Sequence, residues 1–441
     1  MKLNQLLASV AIGVTLSSFG SAQDLVHSAA PQSSAVLIKN ATVHTVTDGT
    51  LEQTSILFEN GRIVAIGSAD MIAAPDEKSR VIDAKGSHVY PGFVALASTM
   101  GLTEIGSVDM TLDTDEAGSI SPEVRAGVSV NPDSWVIPVT RRNGVLTCGV
   151  MPTGGRVPGR ASVIRMDGWT WEDLAIVPDV GLVINWPYVG PFGSDDEDGE
   201  RAKSARKQLA DIEELFDAAS AYVAAREQDA SIESDLRLNA MAGAIERSKK
   251  VFINANSLKQ IESAVAWAVG RNLDFVLVGG HEAAQCLPLL ARHDVPVAVT
   301  AAHRMPRRRD VSYREPYELP AKLQAAGVRW CLTYSPSSWT NSSQRNLPYE
   351  AAACIAFGLS EAEALHGITL APAEFLGLGD QLGSLNVGKR ATLFMTNGDA
   401  LDPTTQVLAA FIDGREIDLT DKQTALDDKY RAKYRQLKLL R

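Results

Sequence analysis

The sequence predicts an α/β fold, a TIM-type (β/α)8 barrel with a small composite β-sandwich, and three observations carry that expectation. Strand-like and helix-like segments alternate four times between residues 251 and 357. β-rich segments flank that alternation at both ends of the chain. The length of 441 residues exceeds what one hydrophobic core usually organises, so a large domain with a smaller one attached is expected. Repeated βα units imply a parallel sheet, and a closed barrel is the commonest form that uses so many of them.

Lys2, an apolar stretch over residues 6–19 and the small residues Gly20-Ser21-Ala22 form the charged start, core and cleavage site of a secretory leader. Residues 1–22 are expected to be a signal peptide, with the mature chain starting at Gln23 and exported to the periplasm or the medium. The apolar stretch is too short to span a bilayer and no cysteine follows it to accept a lipid, so no membrane attachment is expected after cleavage.

Residues 35–66 are β-rich, and Asn60-Gly61 supplies the two positive φ angles of a type I′ hairpin between Ile56-Leu57-Phe58 and Ile63-Val64-Ala65-Ile66. The pattern returns near the other end, where Asp413-Gly414 separates residues 407–412 from Arg415-Glu416-Ile417. The two β segments, 35–88 and 383–418, are expected to pair into the composite sandwich. Residues 89–382 are then the barrel, with strands expected at 145–150, 251–253, 275–278, 295–300 and 328–333. Helices are expected at 283–292, 317–326, 349–357 and from an Asn256 cap with Leu258, Ile261 and Val265 on its apolar face. Residues 151–233 read as an insertion holding a long helix with Leu209, Ile212, Phe216, Ala219 and Val223 on one face. The chain closes at 419–441 with a helix whose Leu426, Tyr430, Tyr434 and Leu437 read as packing surface.

The formal charge of -11 argues against a phosphate-tracking surface, so nucleic acid is not an expected partner. Cys148, Cys286, Cys331 and Cys354 stand far apart without C-x-x-C spacing, inside segments that read as core. Buried thiols are expected, although an oxidising compartment also permits a disulfide whose pairing the sequence leaves open. The acidic run Asp195-Asp196-Glu197-Asp198-Gly199-Glu200 places Ser194 and Ala205 where a calcium loop needs carboxylates, and reads as a solvated loop. Gly154-Gly155 through Gly159-Arg160 lacks the Gly-Lys-Ser/Thr ending of a phosphate loop and reads as a turn.

Three segments carry a family resemblance. Tyr90-Pro91-Gly92-Phe93-Val94 resembles the proline-glycine passage into the first barrel strand of the amidohydrolase superfamily. Leu370-Ala371-Pro372-Ala373-Glu374-Phe375-Leu376-Gly377-Leu378 resembles its closing helix, and Gly383-Ser384-Leu385-Asn386-Val387-Gly388-Lys389-Arg390-Ala391 its return to the sandwich. Gly101-Leu102-Thr103-Glu104-Ile105, Asn131-Pro132-Asp133-Ser134 and Asp167-Gly168-Trp169 look like an exported bacterial branch of that group. The resemblance implies hydrolysis of carbon-nitrogen bonds other than peptide bonds, by water activated on a metal ion, commonly zinc. It also implies Asp-x-His-x-His on strand one, a histidine on strand five and an aspartate on strand eight. Those slots fall on Ala95, Ala97 and Thr99, on Asn254, and on Tyr334. No zinc is therefore expected, and the chain reads as a degenerate, metal-free member that binds a small ligand.

Candidate ligand-binding residues are Asn254, His281, Glu282, His303, Arg304, Arg308 and Tyr334. His281 and His303 follow expected strands, and with Glu282 they supply donors of the kind zinc accepts, or a relocated catalytic base. Arg304, Arg307, Arg308 and Arg309 concentrate positive charge in an acidic chain, and guanidinium forks favour an anionic small molecule. The same arginines also suit a surface ion-pair patch with Asp310 and Glu315. Two alternatives remain open: a hydrolase of a cyclic amide or dipeptide with its base at His281 or His303, and a non-catalytic partner of an active relative in a homo- or hetero-oligomer.

Overall fold

The computed structural model describes residues 28–68, 70–190, 199–306 and 309–439. The expected leader at residues 1–22, Arg308 and most of the acidic run at 195–200 lie outside the described residues.

The N-terminal part forms β1 (Val36–His44), β2 (Thr50–Glu59), β3 (Arg62–Ser68), β4 (Arg80–Asp83) and β5 (His88–Pro91). The barrel follows as β6 (Phe93–Ser98), β7 (Val145–Val150), β8 (Gly159–Arg165), β9 (Ala175–Asn185), β10 (Lys250–Ala255), β11 (Phe275–Gly279), β12 (Val297–Thr300) and β13 (Trp330–Thr333). The chain then returns to the first sheet with β14 (Leu393–Thr396), β15 (Val407–Ile412) and β16 (Arg415–Glu416). The order β16-β15-β14-β5-β1-β2-β3, with β4 on β1, makes the small sheet composite, because antiparallel β14 and β5 join the two ends of the chain. Both hairpins take the expected turn: Asn60 and Gly61 have φ of 51° and 77°, and Asp413 and Gly414 of 50° and 73°.

The chain leaves the small sheet at Gly92. A Cβ there would lie 2.9 Å from Leu146 Cβ and 3.0 Å from Thr392 Cγ2, so only glycine lets sheet and barrel come this close. On the other side of the junction, Lys389 Nζ donates to the Gly379 carbonyl at 2.5 Å and to Ser384 Oγ at 2.6 Å, pinning the return segment.

Side chains alternate across the barrel wall. Val183, Phe252, Val276, Val278, Ala298 and Cys331 pack with Ala97 and Leu96 in one core. Their neighbours Ile253, Leu277, Val297 and Leu332 pack against helical Ile261, Leu290, Leu323 and Ala351 in another. The wall is complete from β6 to β13, and the remaining seam is closed from elsewhere. The carbonyls of Gly367 and Ile368 accept from Leu332 N and Val94 N, each at 2.9 Å, while Thr333 Oγ1 accepts from Ala97 N at 2.9 Å nearer the mouth.

Four expectations need correction. Residues 151–233 are not simply an insertion, because β8 and β9 within them are barrel strands. β8 runs antiparallel to both neighbours, so no crossover helix separates β7, β8 and β9, and the βα spacing that marks the other strands is missing. The helix Leu258–Gly270 is capped by Ser257 in a capping box with Gln260, not by Asn256. The segment 283–292 is split into a 3-10 turn, Ala283–Gln285, and the helix Leu287–Arg292. The terminal helix Lys422–Gln436 buries none of its side chains. Leu426 and Tyr430 are 42% and 46% exposed, and the helix is anchored at its start by the Asp421 capping box and the Arg142–Asp421 ion pair. All four cysteines are buried and free.

Candidate functional site

In a barrel of parallel strands the C-terminal strand ends form the mouth where loops converge on a ligand. At the end of β6 stand Ala95, Ala97 and Thr99, all fully buried. Thr333 Oγ1 accepts from Ala97 N and donates to its carbonyl at 3.3 Å, and Gln344 Nε2 donates to the same carbonyl at 3.2 Å. Thr99 Oγ1 donates to the Ser337 carbonyl at 3.2 Å, and Asn341 Nδ2 to the Thr103 carbonyl at 2.9 Å. The loop after β13 and the 3-10 helix Asn341–Asn346 thus seat neutral hydroxyls and amides over the first strand.

Beside this plug lies a cavity of about 190 Å³ whose lining includes Thr153, Asn185, Asn254, Asn256, Thr300 and Ser335. Asn254 Nδ2 donates to Asn185 Oδ1 at 2.7 Å, and Asn185 Nδ2 donates to the carbonyls of Thr153 and Gly155 at 2.9 and 2.8 Å. Asn256 Oδ1 is buried and has no hydrogen-bond partner among the described residues. Gly279 makes room for it: a Cβ at that position would lie 2.4 Å from this oxygen.

The other candidate residues separate into distinct roles. His281 Nε2 lies 2.8 Å from Thr300 Oγ1, which ties its ring to the wall of the same cavity. Glu282 accepts from Leu258 N at 2.8 Å and caps the helix Leu258–Gly270, so it serves that helix instead of a ligand. Arg304 contacts Glu315 at 3.3 Å and the His281 carbonyl at 3.4 Å, which gives it a carboxylate partner inside the protein. Burial raises the Glu315 pKa and Arg304 opposes that shift. His281, Glu282 and His303 do not converge on a common point, because each is directed to a different partner.

His303 and Tyr334 meet at a residue the sequence reading missed. Glu350 Oε1 accepts from the Tyr334 hydroxyl at 2.7 Å and lies 3.0 Å from His303 Nδ1, while Oε2 accepts from His303 N at 2.7 Å. The Glu350 carboxylate is 2% exposed and the His303 side chain 46%. Burial first, then the neighbouring Glu350 charge, pushes the Tyr334 pKa up, so its hydroxyl stays a proton donor. Glu350 sits in the first turn of the helix Leu347–Ile355, where an acidic residue is ordinary. Its signal is positional: it lies on the helix face shared with Leu347, Ala351 and Cys354, all buried, and a carboxylate on such a face requires partners.

These donors do not fit a zinc ion. The strand-one slots offer two methyl groups and a hydroxyl, the strand-five slot an amide, and the strand-eight slot a neutral phenol, whereas zinc takes histidine, thiolate or carboxylate. Among the described residues no group of three or more His, Cys, Asp or Glu side chains is placed to hold a metal ion.

Comparison with known proteins bears on the whole scaffold. The family model for the amidohydrolase family matches residues 340–417. The structure of an amidohydrolase from Thermotoga maritima MSB8 superposes with a TM-score of 0.76 at 25% identity, covering 87% of this chain and 99% of that one. The chain belongs to the amidohydrolase superfamily. Among curated proteins of the superfamily, Amidohydrolase tasK of Hapsidospora irregularis is 22% identical over 392 residues, which is 81% of this chain. This chain spans 39% of the length of that relative. A prolidase solved with N-methylphosphonate-L-proline shares the fold at a TM-score of 0.54 and 16% identity, covering 87% of this amidohydrolase-superfamily chain and 99% of its own.

Proposed function

We propose that this amidohydrolase-superfamily chain is a binding protein that holds a small polar molecule at its barrel mouth and does not activate water on a metal. One observation supports the reading: at positions where the family resemblance calls for electron-pair donors, the Ala97 backbone is engaged by Thr333 and Gln344, and the Thr99 hydroxyl is spent on the Ser337 carbonyl. Losing the ion removes the group that brings water's pKa near neutral, and with it the largest electrostatic contribution to this chemistry. An anionic ligand finds Arg304 already facing Glu315, so the lining of Asn185, Asn254, Asn256 and Thr300 favours uncharged donor and acceptor groups such as an amide. The leader at residues 1–22 supports export, and with it a ligand met in the periplasm or the medium.

The test is elemental analysis of protein purified without chelators and then equilibrated with zinc. The expected content is below about 0.1 equivalent; one equivalent that survives mild chelation would end this reading.

A second reading rests on His303 and Glu350. A histidine oriented by a buried carboxylate through Nδ1 presents Nε2 as a general base, and the exposed His303 ring has that arrangement. Such an enzyme would cleave a dipeptide or cyclic amide without metal. Hydrolysis that persists unchanged in His303→Ala would dismiss it.

A further inference from the structure

The face of the barrel opposite the mouth carries a feature that the binding reading does not use. Because β8 is antiparallel, its last residue, Arg165, lies at the N-terminal rim, opposite Thr147 near the start of β7. Two hairpin turns of the small sheet reach the same place. Asn60-Gly61 brings Arg62, Asp413-Gly414 brings Arg415, and a Cβ on Gly61 would lie 3.0 Å from the Asp413 carbonyl, so the turns touch. Arg390 pairs with Arg62 in a single antiparallel bridge. Four residues scattered over the sequence thereby line one cavity of about 430 Å³, together with Asp413.

The charges in that cavity do not balance. Asp413 is shared, 2.9 Å from Arg165 and 3.2 Å from Arg390, so one carboxylate answers two guanidinium groups. Arg415 turns to Asp167 at 3.2 Å, but Asp167 also serves buried Arg141 at 3.1 Å. Arg62 donates to a neutral acceptor, the Gly388 carbonyl, at 2.7 Å. Arg165 Nε is buried with no hydrogen-bond partner among the described residues. Burial lowers the Arg165 pKa; Asp413 opposes the shift, and Arg390 and Arg415 add to it. In a chain of net charge -11, a set of cations held together at this cost is a local exception. Guanidinium forks in fixed orientation recognise oxyanions, and four of them around one cavity match a molecule with more than one anionic group.

We propose that the junction of the small sheet and the barrel is a binding site for a small polyanion of the phosphate class, held by Arg62, Arg165, Arg390 and Arg415. The site is independent of the mouth and of whether the mouth is catalytic.

Calorimetric titration of the full chain with inorganic pyrophosphate at low salt tests this. Saturable binding near one equivalent is expected, weaker for orthophosphate, and weakened at least about tenfold by Arg62→Ala or Arg390→Gln, each removing one fork. The exposed Arg62 side chain makes Arg62→Ala decisive if a more buried variant fails to fold. Arg304→Gln at the mouth is expected to leave pyrophosphate binding unchanged. The proposal is overturned by no binding up to roughly 10 millimolar, by full affinity in Arg62→Ala and Arg390→Gln, by equal affinity for orthophosphate, or by loss of binding in Arg304→Gln.

Discussion

Thr333 joins the last barrel strand to the first through its side chain, with Oγ1 2.9 Å from Ala97 N and 3.3 Å from Ala97 O. Ala97 is one of the first-strand positions that the family resemblance assigns to a metal ligand, and here its backbone N–H and carbonyl are both engaged by the Thr333 hydroxyl, which joins the two strands. Valine has nearly the same shape and no hydroxyl. Thr333→Val leaves the buried Ala97 N–H without its partner, at a cost of about 1–3 kcal/mol. Thr333→Ser keeps the oxygen and should lose much less. Urea unfolding of the three proteins checks this, and a valine variant as stable as the parent would show that the seam is held by packing alone.

Glu350 is the hub of the second polar cluster, and its removal affects two partners at once. In Glu350→Ala the buried Tyr334 hydroxyl and the His303 backbone N–H lose their acceptor, for an expected loss of about 2–4 kcal/mol. Tyr334→Phe removes one donor and leaves the carboxylate its other contacts, so about 1–2 kcal/mol is expected. The ordering of the two variants is the sharper check. If Tyr334→Phe destabilised as much as Glu350→Ala in denaturant titrations, the carboxylate would not be the shared element.

His44 gives the protein an acid-sensitive point far from the mouth. Its ring is stacked on Tyr90 at 4.1 Å, its Nε2 is 2.9 Å from His88 Nδ1, and its Nδ1 meets Thr50 Oγ1 at 3.1 Å. Burial and the adjacent His88 lower its pKa from 6.5 to about 4, with Asp399 acting in the opposite sense. The unfolded chain therefore binds the proton more readily than the folded one. The resulting stability is fully present above about pH 6.5 and is lost as pH falls toward 4, by at most about 3 kcal/mol. Unfolding free energies of the parent and His44→Gln, measured near neutrality and near pH 4.5, should diverge in their acid dependence, with the variant flatter. Parallel curves would remove His44 from the account.

How far the fold was legible depended on whether a signal was local. Asn60-Gly61 and Asp413-Gly414 declare their turns because the φ values they need are rare outside such pairs. Pro91-Gly92 marks the step between sheet and barrel because no Cβ fits beside Leu146. β8 escaped notice because an antiparallel strand needs no crossover helix, and its βα rhythm was therefore absent. At the candidate site, Asn254 and Tyr334 are legible only through the strand-five and strand-eight slots that the family resemblance assigns. Glu350 is not, since an acid in a first helical turn is common and its burial depends on a histidine and a tyrosine distant in sequence. Glu282 looked like a ligand for the same kind of reason: its partner, the N-terminus of the helix Leu258–Gly270, is set by the fold alone.

The cysteines supply the last prediction, and it bears on chemistry as well as on redox state. The reactive form of a thiol is the thiolate, and burial opposes its formation. Burial pushes Cys148, Cys286 and Cys354 up to about 12, and Cys331 well above its usual value, while Ser98 offsets the shift at Cys148 only in part. None of the four therefore serves as a nucleophile near neutral pH, and none is close to reacting with a soluble disulfide. A colorimetric disulfide reagent added to native protein near neutrality should show essentially no thiol release, and four equivalents should appear once guanidinium unfolds the chain. Cys286 is the most exposing case, because it is 6% accessible while Cys148, Cys331 and Cys354 are fully enclosed. Rapid labelling of a single site in the native protein, mapped to Cys286 and abolished in Cys286→Ser, would mean that the turn at Ala283–Gln285 opens far more readily than its packing implies.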